Sequence, residues 1–161
     1  YGETLQIKFG RGRNAKTFTV HKEVLTFYSG YFEAAFRDGT VFREAKTGVS
    51  PIFEQFVHWI YSRRIDCGSD AEPFHILCRL WVLADRREVP LLMNECINTM
   101  RDKSSELWMA PAICLPYIYK NTMPGSAMRR LLIQLIARTS TSLLLERIDM
   151  DFSKEMLVDM L

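Results

Sequence analysis

The chain has 161 residues, with 21 Lys and Arg against 19 Asp and Glu, a net charge of +2 and 48% hydrophobic residues. That balance excludes wholesale disorder, argues against nucleic acid or an anionic membrane as the ligand, and suits one domain with a sizeable core. No apolar run is long enough to span a bilayer, nothing resembles a signal peptide, and the start at Tyr1 rather than Met is expected to be trimmed or incomplete.

Leu5, Ile7 and Phe9 alternate with Gln6 and Lys8, the pattern of a half-buried strand. The polar connection GRGRNAK leads into a second extended run from Thr17 to Val20, so a hairpin is predicted. Gly10 to Thr17 also matches the phosphate-binding pattern G-x-x-x-x-G-K-[ST], except that Ala15 takes the place of the second glycine. Such a loop needs a helix beginning at the lysine, so that backbone N–H groups meet the phosphates. Thr17, Phe18, Thr19 and Val20 are instead β-branched and alternating, which favours a strand. The segment is read as a basic turn, with nucleotide binding as a remote alternative. His21 stands at the strand-to-helix junction with no acidic or nucleophilic partner at fixed spacing. Its expected role is to fix local backbone through its ring nitrogens rather than to catalyse.

From Val20 to Phe36 the chain reads VHKEVLTFYSGYFEAAF. Val24, Leu25, Tyr28, Phe32 and Phe36 follow the three-and-four spacing of a buried helical face, and Ser29-Gly30 divides it into two short helices. So little here is charged that the pair is expected to be enclosed in the interior. Ser50-Pro51 is a helix start, and Ile52, Phe53, Phe56, Val57, Ile60 and Tyr61 give the next face, up to Arg63-Arg64. Ser69 or Asp70 is placed to cap a helix carrying Phe74, Leu77, Leu80, Trp81 and Ala84. Val89-Pro90 restarts one on Leu91, Leu92, Cys96, Ile97 and Met100. Ser105 is expected to cap a further helix with Leu107, Trp108 and Met109, broken by Pro111. Pro116 punctuates the apolar run from Ala112 to Tyr119. Asn121 to Ser126 is a turn, and Ser126 caps a helix on Leu131, Leu132, Leu135 and Ile136, where Arg129-Arg130 is read as a solvated face. Residues 139–142 are a linker, and Asp151 or Ser153 starts a last short helix. Cys67, Cys78, Cys96 and Cys114 form no close pair of the kind zinc needs, and are read as buried free thiols of a protein of the cytoplasm or nucleus.

Phe18, Val20, His21, Leu25, Ser29, Phe32 and Phe36 fall in the register of F-x-V-H-x-x-x-L-x-x-x-S-x-x-F-x-x-x-F, and the chain here resembles BTB/POZ domains. FEQFVHWIYSRRI, Phe53 to Ile65, and LWVLADRREVPLLMNECI, Leu80 to Ile97, are similar to two further segments of that family, with Arg63 or Arg64 where glycine is usual. Phe42-Arg43-Glu44 resembles the family's F-x-E. Only Val49 and Ser50 then separate Gly48 from Pro51, so either this copy is shortened or a loop is absent. Tyr117 to Leu132 resembles the tail of fungal BTB proteins.

The resemblance implies an α+β fold, mostly helical, with a small sheet packed on a helical cluster. It implies a BTB domain over residues 1–102 and a helical C-terminal extension over 103–161 packing on it. It also implies a non-catalytic protein–protein interaction module, a scaffold or adaptor with no cofactor, metal, nucleic acid, membrane or small-molecule substrate. The alternative is a substrate adaptor of a cullin-RING ubiquitin ligase, with a cullin as partner and Tyr61 carried over as the contact residue. Family dimers pair through an N-terminal helix and strand for which the residues before Leu5 leave too little room, and Thr4 stands where they favour aspartate. A monomer or weak homodimer is therefore expected.

Overall fold

A computed structural model describes residues 2–9, 12–37, 50–68, 73–138 and 152–161. The chain divides into two compact units, Tyr1–Asp66 with Leu83–Met93, and Cys67–Val82 with Asn94–Leu161.

In the first unit, β1 (Thr4–Phe9) pairs antiparallel with β2 (Lys16–His21), from Thr4 opposite His21 to Phe9 opposite Lys16. The two-residue period puts Ile7, Phe9, Phe18 and Val20 on one buried face. A 3-10 turn, Gly12–Asn14, joins the strands, with Gly12 at φ +61, the left-handed region that glycine enters without a Cβ clash. The sheet lies on α3 (Ser50–Ser62), whose Phe53 ring centroid is 4.0 Å from that of Phe9 and 5.2 Å from that of Phe18. Phe56 and Trp59 continue this aromatic core along α3.

Between α1 (Lys22–Tyr28) and α2 (Gly30–Arg37), Ser29 breaks the helical path in an extended conformation. Its buried hydroxyl donates to the Arg87 carbonyl at 2.6 Å and accepts from the Phe32 N–H at 3.2 Å. The Gly30 N–H donates to the Glu88 carbonyl. The helix pair is thereby tied to the turn between α4 (Pro73–Arg86) and α5 (Pro90–Leu107), where Val89 is buried. Leu25 and Phe32 are fully buried, each worth about 1.5–3 kcal/mol of transfer free energy. The pair is not enclosed on all sides, as its composition suggested, because Phe27 is 78% exposed.

The second unit is helical among the described residues. α5 runs unbroken to Leu107, so Ser105 caps no new helix; its hydroxyl donates to the Arg101 carbonyl within α5. The helix ends at Trp108, which takes φ +50 and is 93% exposed. A 3-10 turn, Ala112–Cys114, leads into α6 (Leu115–Asn121), where Pro116 lies in the first turn and needs no N–H partner. Ser126 caps α7 (Ala127–Ala137) by accepting from the Arg129 N–H, and Ser153 caps α8 (Lys154–Asp159) by accepting from the Met156 N–H. The α+β expectation is met, with helices dominant and one small antiparallel sheet. The expectations for residues 38–49, for the Ser69 or Asp70 cap, for the linker at 139–142 and for Asp151 fall outside the described residues.

Candidate interaction surface

The end of α3 is built around Tyr61. Its hydroxyl accepts from the His21 backbone N–H at 2.9 Å and meets His21 Nδ1 at 2.9 Å. His21 does not cap α1 with its ring. The backbone at the junction is held instead by Tyr61, 40 residues further on. Tyr61 nonetheless keeps 47% of its surface exposed.

Two residues beyond, Arg63 takes φ +57 and so occupies the left-handed position where the family pattern favours glycine. A side chain there costs about 1–2 kcal/mol. The guanidinium lies 4.2 Å from the Trp59 ring centroid and 5.0 Å from that of Tyr28, contacts that offset the strain. Phe27 meets Tyr28 edge-on at 4.9 Å. Phe27, Tyr28, Tyr61 and Arg63 thus present aromatic rings and a cation, the residue types enriched at protein interfaces. Along the same helix end, His58, Ser62, Arg64, Ile65 and Asp66 line a cavity of about 540 Å³.

Of the other residues singled out in the sequence, Phe18, Val20, Leu25, Ser29 and Phe32 are buried, while His21 and Phe36 are half-buried. Phe36 stacks on Phe32 at 6.0 Å. The phosphate-loop arrangement is not formed, because Lys16 begins a strand rather than a helix and its Nζ pairs with Glu54. All four cysteines are buried, and none is in a disulfide. Although far apart in sequence, Cys78 is within hydrogen-bonding reach of Cys114, and that contact together with burial pushes its thiol pKa up. Burial likewise raises Cys96. Among the described residues, no three His, Cys, Asp or Glu side chains are grouped to hold a metal.

Arg129 overturns its reading as a solvated residue. It is 4% exposed, its Nε donates to Thr122 Oγ1 at 2.9 Å, and its Nη2 donates to the carbonyls of Tyr119 and Thr122. Its Nη1 pairs with Glu155. Only Arg130 faces solvent. The N-T-x-P-G-S-x-x-R string carried the signal: Thr122 supplies the acceptor, Gly125 turns the chain at φ +76, and Ser126 starts the helix that returns Arg129 to it.

The sequence model of the BTB/POZ domain matches residues 5–104, well over half of the chain. The chain belongs to the BTB/POZ family. BTB domains mediate binding to other proteins and oligomerisation, and are generally non-catalytic. The BTB match ends within α5, so α6, α7 and α8 lie beyond it. A comparison with curated proteins found no match.

Proposed function

We propose that this BTB domain serves as a non-catalytic scaffold or adaptor that docks a partner protein on the surface formed by Phe27, Tyr28, Tyr61 and Arg63. The observation that carries this reading is Tyr61, half exposed although its hydroxyl is engaged, two residues before a cation held in place over two rings. Prefixed aromatic and guanidinium groups lose little entropy on binding. The alternative is a substrate adaptor of a cullin-RING ubiquitin ligase, with a cullin as the partner, a reading supported by Tyr61, which ends the W-I-Y segment and is exposed. Residues 103–161 act as a helical extension of the domain, a reading supported by Arg79 lying 5.9 Å from the Tyr117 ring and Cys114 Sγ lying 4.0 Å from His75 Nδ1. The protein works in the cytoplasm or nucleus as a monomer or weak homodimer; no helix among the described residues is long and apolar enough to cross a membrane.

The test is capture of partners, including cullins, by immobilised wild-type and Phe27→Ala protein. Phe27 contributes little to the core, so Phe27→Ala is expected to keep its stability and lose at least tenfold in partner affinity. Equal capture by both proteins overturns the surface. Capture without any cullin removes the cullin reading and leaves the scaffold reading in place. Light scattering that shows a dimer mass independent of dilution overturns the monomer.

A further inference from the structure

α8 is held in the second unit through one of its faces. Glu155 accepts from Arg129 Nη1, Asp159 Oδ2 accepts from the Tyr119 hydroxyl at 2.6 Å, and Met156 is buried beside them. Glu155 and Asp159 are one helical turn apart and so project together. Leu157 and Val158, on the other side, are exposed.

The two sides of this contact differ in how firmly each is fixed. Arg129 is positioned by Thr122 and by two carbonyls, and its guanidinium lies 4.2 Å from the Tyr119 ring centroid, all within α6, α7 and the turn that joins them. Its fork is thus set before any carboxylate arrives. α8 has six residues, far too few for a helix to persist alone in water. Beside it remains a cavity of about 330 Å³, lined by Tyr119, Gly125, Arg129, Arg130 and Asp159 among others. The exposed Gly125, with no atom within 4 Å of its missing Cβ, leaves one wall open. The exposed cation Arg130 stands at this cavity, where a further carboxylate on an incoming helix would meet it.

We propose that the α6–α7 face centred on Arg129 and Tyr119 is a recognition site for a short acidic helix, filled in cis by α8 and entered in its place by an acidic, methionine- or leucine-bearing helix of a partner protein. The preformed cation and hydroxyl select two carboxylates four residues apart, and the apolar position between them selects the side chain. A tethered occupant acts at an effective concentration in the millimolar range, so the site of the wild-type chain is largely closed to weak competitors.

A fluorescent peptide of residues 152–161, FSKEMLVDML, tests this by anisotropy against three full-length proteins: wild type, Glu155→Gln/Asp159→Asn, and that double variant with Tyr119→Phe added. Circular dichroism checks that each is folded. The peptide is expected to bind the double variant at least tenfold more tightly than wild type, whose own α8 competes. Adding Tyr119→Phe, which deletes only the hydroxyl facing Asp159, is expected to weaken that binding severalfold. A peptide carrying the same two amide substitutions is expected to bind at least tenfold more weakly than the native peptide. Absence of binding to the double variant, equal binding by wild type and double variant, or equal binding of the two peptides overturns the proposal. A wild-type dimer that dissociates on Glu155→Gln/Asp159→Asn also overturns it, since the occupant would then be α8 of a second copy.

Discussion

Replacing Ser29 by alanine tests the link between the helix pair and the α4–α5 turn. The side chain is fully buried, and its hydroxyl both donates to the Arg87 carbonyl and accepts from the Phe32 N–H. Alanine removes a single oxygen, so the cavity left behind is small and the loss is almost entirely polar. The missing N-cap of α2 costs about 0.5–2 kcal/mol, and a buried carbonyl left without its donor costs about 1–3 kcal/mol. Together these give an expected destabilisation of about 2–3 kcal/mol, at the lower end where the two losses overlap. Urea unfolding followed by circular dichroism reads this as a fall in midpoint of about 1 M at unchanged slope. Gly30→Ala is the control. Gly30 lies in the first turn of α2, and an added Cβ would meet Glu88 Oε2 at 2.7 Å, the far end of a flexible side chain. Its displacement is offset by a gain in helix propensity of up to about 1 kcal/mol, so Gly30→Ala is expected to stay near wild type. Ser29→Ala within about 0.5 kcal/mol of wild type, or Gly30→Ala losing more than Ser29→Ala, would refute the hydroxyl as the link.

Leu25→Ala and Phe32→Ala each truncate a fully buried side chain and are expected to lose about 2–5 kcal/mol in urea unfolding; wild-type stability of either would remove the buried helix pair. At Arg63, glycine relieves the left-handed strain whereas alanine keeps it, and both lose the stacking on Trp59 and Tyr28. Arg63→Gly is therefore expected to be more stable than Arg63→Ala by about 1 kcal/mol, and the reverse order would show that the strain is absent. Cys78 and Cys96 hold their protons above the ordinary 9.0 and Tyr119 above 10.0, so the folded state binds protons that the unfolded state releases. Stability is expected to be level below about pH 9 and to fall as pH rises beyond it, with Cys96→Ala flattening part of the slope; a level or rising profile in urea titrations to pH 11 would contradict this.

Local periodicity and capping chemistry made much of the fold legible in the sequence. Alternation over Leu5–Phe9 and Thr17–Val20 marked the strands, Ser29-Gly30 marked the break between α1 and α2, Ser126 marked a helix start, and Asp151 or Ser153 marked another, of which the structure uses Ser153. Each of these signals acts within one or two turns of chain, so no distant partner is needed to read it. Tyr61 stood out through its place in a family segment, but nothing local revealed that its hydroxyl would hold the His21 junction. Ser105 misled, because a serine in the last turns of a helix can bond back to a carbonyl within that helix as readily as it can cap a new one. Arg129 misled more deeply. A guanidinium is soluble on a surface and stable inside only where fixed acceptors meet its fork, and here Thr122 and Tyr119 meet it once α6 and α7 have come together, with Glu155 added by α8. The same holds for Arg63, whose backbone leaves the helical region at a site held by two aromatic rings, one of them 35 residues earlier in the chain. Periodicity reports which face of an element is apolar, whereas the burial of a charge depends on acceptors contributed by other elements, and only the tertiary structure supplies those.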